Sequence, residues 1–289
     1  MGAGETVSEE TAPTGTGGFF SIVIQNANPR DVVAIALIPL ILVLVSLVPE
    51  ATRDGFVFNT GAPELVAAYT THFVHAEPTH LLGNIIIYLV VASLAYVLAV
   101  IADRRQLFLL SFGALVVLFP FALSLMQLSF PDERLVFGFS GINAGFYGLL
   151  SILLVCYVRT VFSERFEFQY APVLLFAIVG GVALVSLPER AWRAEIAAVS
   201  FVLAIGYIGA FFYTHGRPDW SAVREGLNKP GYVELAGGSL GTLAVFPVIG
   251  FQDGIVTGGA VVDVYVHLLG FCFAFIVLFL YVVVEERYL

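Results

Sequence analysis

The chain has 289 residues, 59% hydrophobic and only 12% charged, with a mean hydropathy of +0.93. That composition excludes a soluble globular domain, and several windows of 17 or more nearly uncharged residues predict an all-α polytopic membrane protein rather than a β-barrel, whose alternating strands the sequence lacks. The net charge of −9 argues against nucleic acid as a partner, and the single lysine among 13 basic residues, Lys229, resembles the usage of salt-loving archaea, a halophile signature.

Residues 1–30 read as a disordered acidic tail followed by an interfacial segment, Phe19–Gln25, and residues 31–289 as one transmembrane domain. Eight spans are predicted: Val32–Val48, Leu81–Ile101, Leu107–Phe130, Gly138–Val158, Ala171–Leu187, Ile196–Thr214, Val233–Phe251 and Val261–Val284. Pro120 should kink the third, and the seventh, with Glu234, Pro247 and several glycines, carries the weakest signal. With the N-terminus inside, Arg30, Arg104, Arg105, Arg159, Arg165, Arg217, Arg224, Lys229 and Arg287 fall inside, against Arg53, Arg134, Arg190 and Arg193 outside. The positive-inside rule favours that orientation. Cys156 and Cys272 lie within spans without disulfide or metal spacing and are expected to be packing residues.

Three stretches carry polar residues that a span does not need. In His75-Ala-Glu-Pro-Thr-His80-Leu-Leu-Gly-Asn84, Pro78 suits a first helical turn, and His80 and Asn84 share one face near the helix start. Polar side chains at membrane depth are costly unless partnered, so two on one face point to a shared polar cavity. In Gly138-Phe-Ser140-Gly141, a serine opens a span whose Gly141, Gly145 and Gly148 share a face that admits a close neighbour; helix packing with an N-cap serine is the alternative. In His267-Leu-Leu-Gly270-x-x-x-Ala274, a lone histidine precedes a matching small-residue face. All three groups start their own helices. They meet at one depth only if the helices run the same way. One span between the second and fourth, and three between the fourth and eighth, make that so.

His-x4-His-x3-Asn, then Gly-x-Ser-Gly, then a late His-x-x-Gly-x-x-x-small, in that order, resembles the rhomboid family of intramembrane serine proteases. The resemblance covers roughly three quarters of the chain, from the second span onward. It implies a rhomboid-like six-helix core plus extra helices, and a Ser–His dyad without an acid: Ser140 as nucleophile and His267 as general base. His80, Asn84 and the backbone N–H groups of Ser140 and Gly141 match the oxyanion donors. His75 matches a residue that orders the preceding loop, and Gly138, Gly145 and Gly270 match supporting glycines. It further implies transmembrane-helix substrates within the lipid bilayer, water for deacylation, and no cofactor or metal. The expected location is the plasma membrane, with the N-terminus cytoplasmic and the active site opening outward beneath a flexible cover at 252–260.

The chain departs from the family pattern in three places. Val66 and Ala67 stand where many members have Trp-Arg. Ala144 stands where many have an aromatic that stacks on the catalytic histidine, leaving Tyr147 or Tyr265 to replace it. Three crossings, rather than one, separate the serine and histidine helices. A rhomboid-like protein that binds transmembrane helices without cutting them is the main alternative. A metal hydrolase using His72, His75, Glu77 and His80 lacks the His-Glu-x-x-His order, and a transporter should hold its polar residues at mid-depth.

Overall fold

A computed structural model describes residues 16–131, 133–186, 192–216, 220–228, 230–251, 256–257, 260–261 and 264–288. Among them the helices are α1 (Thr16–Asn26), α2 (Pro29–Ser46), α3 (Glu50–Arg53), α4 (Leu65–Thr70), α5 (Pro78–Ile101), α6 (Arg105–Val117), α7 (Phe119–Gln127), α8 (Ser140–Val161), α9 (Pro172–Ser186), α10 (Arg193–His215), α11 (Trp220–Leu227), α12 (Tyr232–Ile249) and α13 (Val264–Tyr288). Among the described residues seven helices are long and apolar enough to cross a membrane, and α6 with α7, bent by 44°, makes an eighth if the pair is one span. The chain is therefore a multi-pass helical membrane protein. Most of the acidic tail lies outside the described residues, and Phe19–Gln25 falls within α1.

The bend has the expected cause. Pro120 offers no N–H to the carbonyl of Val116 four residues earlier, and its ring crowds that carbonyl. The orphaned Val116 carbonyl accepts a hydrogen bond from the Tyr69 hydroxyl at 3.3 Å. Pro120's own carbonyl lies 3.0 Å from His72 Nε2. The loop between α3 and α5 thus caps the break from outside, and Ser124 Oγ donates to the Ala68 carbonyl at 2.6 Å beside it.

Contacts fix the direction of each helix. His80 lies beside Gly138, Asn84 bonds Asn143, and Tyr88 packs edge-on against Phe146, so α5 and α8 run parallel. Gly141 faces Val266 and Gly148 faces Phe271–Phe275, so α8 and α13 run parallel too. The bent pair runs antiparallel to α8, with Leu123 against Gly141 and Leu115 against Gly145, and returns the chain once between α5 and α8. Between α8 and α13 lie α9, α10 and α12. Gly180 faces Phe201 and Phe176 stacks near Tyr207, which makes α9 and α10 an antiparallel hairpin. The hairpin contributes two crossings and leaves the direction of α13 unchanged.

Two layers of contact hold this arrangement. Tyr88, Phe139, Phe146, Phe271 and Phe275 are buried in the core around α8. At the C-terminal ends of α5, α8 and α13, Arg104 pairs with Glu285 at 2.9 Å and Arg159 pairs with Glu286. Nearby, Arg105 grips buried Asp31 at 2.6 and 2.8 Å. The three glycines of α8 do not serve one neighbour. Gly141 and Gly148 admit α13, whereas Gly145 faces Leu115 and Phe119 of the bent pair, because 40° of helix rotation separates it from Gly141.

A Cβ on Gly148 would sit 2.8 Å from the Phe275 nitrogen and 2.9 Å from the Phe271 oxygen, backbone atoms that cannot turn aside. Gly148→Ala is expected to cost about 1–3 kcal/mol, read as a lower thermal midpoint in detergent. Gly209→Ala meets open space and is expected to be neutral or to stabilise by up to about 1 kcal/mol.

Candidate active site

Ser140 is the first residue of α8. The N-cap position belongs to Phe139, which makes no side-chain cap bond, so the N-cap reading of the serine does not hold. The amides at the start of a helix have no carbonyl four residues back, and the helix dipole makes that end attractive to negative charge. Two anchors hold the approach to Ser140. Gly138 has φ +107°, open to glycine and strained for other residues, and its N–H donates to the Thr71 carbonyl at 3.1 Å. Phe139 is fully buried against Phe73 and Tyr88. A methyl on Gly138 would lie 3.1 Å from His80 Cε1 and 4.0 Å from Ser140 Oγ. The missing side chain is what lets His80 lie next to the serine.

Ser140, His267, His80 and Asn84 all line one cavity of about 290 Å³, together with Asn143, Ala144, Tyr147, Phe246 and Gly250. They come from the N-terminal ends of three parallel helices, and the ionic contacts lie at the opposite ends. Gly270 lets α13 reach this depth: a Cβ there would fall 2.6 Å from the Gly141 oxygen. His267 Nδ1 lies 2.5 Å from the Gly250 carbonyl oxygen. An oxygen acceptor requires a proton on Nδ1, so the neutral ring carries its basic lone pair on Nε2.

His75 lies outside the cavity lining and ties its wall together. Its Nε2 accepts from the Phe139 N–H at 3.3 Å and from Asn84 Nδ2 at 3.2 Å, and its ring meets that of His80 edge-on. Burial, aided by the neighbouring His80, holds His75 down at about 4. Burial does the same for His72, also to about 4.

Several contributors escaped the sequence reading. Of the two rings expected to replace the missing aromatic, Tyr147 stacks on Phe246 and Tyr265 meets Phe130. The ring edge-on to His267, with centroids 5.8 Å apart, is Phe251, just past α12. No periodicity marks it; only the packing of α12 beside α13 does. Asn143, a polar residue one turn after Ser140, is legible in the sequence as an anomaly in an apolar span. Val66 is exposed and Ala67 packs with Phe58 and Ala68, so the Trp-Arg positions carry no charge here. The cover at 252–260 lies outside the described residues, except that Val256–Thr257 pairs antiparallel with Ala260–Val261. Among the described residues no three His, Cys, Asp or Glu side chains are grouped to hold a metal ion.

A serine, histidines and asparagines meeting at the N-terminal ends of three parallel membrane helices define a polytopic helical membrane protein with a polar group of side chains in one cavity. The family model for the Rhomboid domain matches residues 62–212, just over half the chain, and the protein belongs to the rhomboid family. The match takes in His75, His80, Asn84 and Ser140 and stops before α12 and α13, and so before Gly250 and His267. No curated protein and no solved structure matches the chain.

Because His72 and His75 stay neutral in the fold down to about pH 4 while the unfolded chain protonates near 6.5, the unfolded state binds more protons across that window. Their stability contribution is complete above pH 6.5 and is lost as pH falls toward 4, each amounting to roughly 2 kcal/mol of loss by pH 5. The thermal midpoint in detergent is expected to fall from pH 6.5 to 4, with a shallower fall in His72→Asn.

Proposed function

We propose that the protein is an intramembrane serine endopeptidase that cuts transmembrane helices by a Ser140–His267 dyad. The observation that carries this reading is the shared cavity: nucleophile, base and donors reach it from three separate helices. Ser140 Oγ attacks the peptide carbonyl carbon as His267 Nε2 takes its proton, since a hydroxyl is a poor nucleophile without a base. The Gly250 carbonyl, accepting from Nδ1–H, orients the ring and its tautomer, the part an aspartate plays in a triad. The oxyanion of the tetrahedral intermediate is met by the Ser140 and Gly141 amides and by His80 and Asn84. His267 then returns the proton to the leaving amine, and a water, deprotonated by the same nitrogen, releases the acyl-enzyme.

The site needs an extended peptide, so the substrate is a transmembrane helix that unwinds locally, with Gly, Pro or polar residues near the cut and a small residue before it. The distribution of basic residues supports a cytoplasmic N-terminus and a cavity that opens toward the outer side of the plasma membrane.

The reading is tested with a serine-directed fluorophosphonate probe on the protein in high-salt membranes. Wild type is expected to label, and Ser140→Ala and His267→Ala to lose labelling and cleavage while still inserting and folding. Asn84→Ala is expected to lower turnover by about 10²–10³ with little change in substrate binding, because the oxyanion exists only during reaction. Labelling that survives Ser140→Ala would put the nucleophile elsewhere. A folded wild type that never labels would favour a helix binder that does not cut.

A further inference from the structure

Asn143 has no role in the dyad and no place among the expected oxyanion donors, yet it is only 3% exposed and lines the cavity one helical turn after Ser140. Its neighbours Ile142 and Phe146 are apolar and fully buried. An amide held among them at membrane depth is costly unless it is partnered. Its Nδ2 donates to two oxygens of one residue: the Asn84 backbone carbonyl and Asn84 Oδ1, both at 3.0 Å.

The second of these bonds decides which way the Asn84 amide points. With Oδ1 held against Asn143, Nδ2 is turned to the other side, 3.2 Å from His75 Nε2 and 3.1 Å from the His80 carbonyl. Turning the amide over would set two NH₂ groups face to face and two acceptors, Oδ1 and His75 Nε2, against each other. One orientation keeps the bonds to Asn143 and His75, and the other breaks both. The bond to the His80 carbonyl lies within a single turn of α5 and competes with the helix's own amide for that oxygen. It is therefore the bond Nδ2 can exchange for a charged acceptor, and charge-assisted hydrogen bonds are the stronger kind.

We propose that Asn143 is a positioning residue that aims the donor end of Asn84 at the reacting carbonyl oxygen. The proposal rests on reading the cavity as a serine-protease site. Asn143 acts only through Asn84, so the two should be fully coupled.

The experiment is a double-mutant cycle on the full-length protein, reading the rate of fluorophosphonate labelling, split into maximal rate and half-saturating probe concentration, beside the thermal midpoint. Asn143→Leu keeps the branching of the side chain and removes the donors. It is expected to lower the maximal rate tenfold or more with the half-saturating concentration unchanged, and to have no further effect in an Asn84→Ala background. Asn143→Asp sets an acceptor against both Asn84 oxygens and turns the amide round, so it is expected to lose at least as much as Asn84→Ala. Asn143→Thr, smaller and unable to span both oxygens, replaces the leucine variant if that one does not fold, with the same coupling expected. Independent, multiplying losses in the double variant, or a lower thermal midpoint with unchanged labelling, would overturn the proposal and leave the serine-protease reading standing. A folded wild type that does not label removes that reading, and this proposal with it.

Discussion

The structure depends on how closely two backbones approach. Where α8 meets α13, Gly270 lies so near the Gly141 carbonyl that a single methyl would fall within 2.6 Å of it, and Gly148 lies as close to the backbone of Phe271–Phe275. Lipid offers apolar side chains no advantage over one another, so membrane helices associate through contact area and close packing. Glycine at 141, 148 and 270 provides both, and in doing so brings His267 to the depth of Ser140. Larger residues along this seam would separate the helices and widen the cavity before they touched any reacting group.

The second constraint is the satisfaction of polar groups away from water. The break before Pro120 frees a carbonyl at Val116, and the loop answers it with the Tyr69 hydroxyl. His72 answers the Pro120 carbonyl and Ser124 together, each at 3.0 Å. The adjoining Thr71 carbonyl holds Gly138, and the Thr71 hydroxyl accepts from the Phe58 amide and bonds the Val136 carbonyl. One short turn therefore connects the bend in the third crossing to the backbone that presents Ser140. His75 extends the same network to Asn84 and Phe139. A loop that looks peripheral in the sequence is what fixes the geometry of the serine's approach.

The family match runs through α9 and nearly all of α10 and ends before α12 and α13. The antiparallel pair α9 and α10 is packed against α12 through Gly181 and Pro247. The α10 helix buries only 17% of its most apolar window, so it lies at the periphery. The wall beside His267 is α12, which lends Phe246 and Gly250 to the cavity. The two crossings α9 and α10 reverse direction twice, so α13 still starts at the cavity end. An added single crossing would have put His267 at the wrong end of the bundle.

The sequence by itself determined the class, the number and nearly the bounds of the crossings, and four polar residues that line the cavity, Ser140, His267, His80 and Asn84. Apolar run length sets a span, proline sets a bend, and polar residues that no span requires stand out against a chain that is 59% hydrophobic. Parity then followed from counting. Tertiary structure alone decided the finer matters. Gly145 faces the bent pair rather than α13, because helix rotation and not residue type assigns a face. Phe251 meets His267, which the sequence does not show, because an aromatic past the end of a helix has no periodic signature. The Nδ1 tautomer of His267 and the orientation of Asn84 follow from a backbone carbonyl and from Asn143. Such partners are matched by direction and distance in space, which spacing along the chain does not encode.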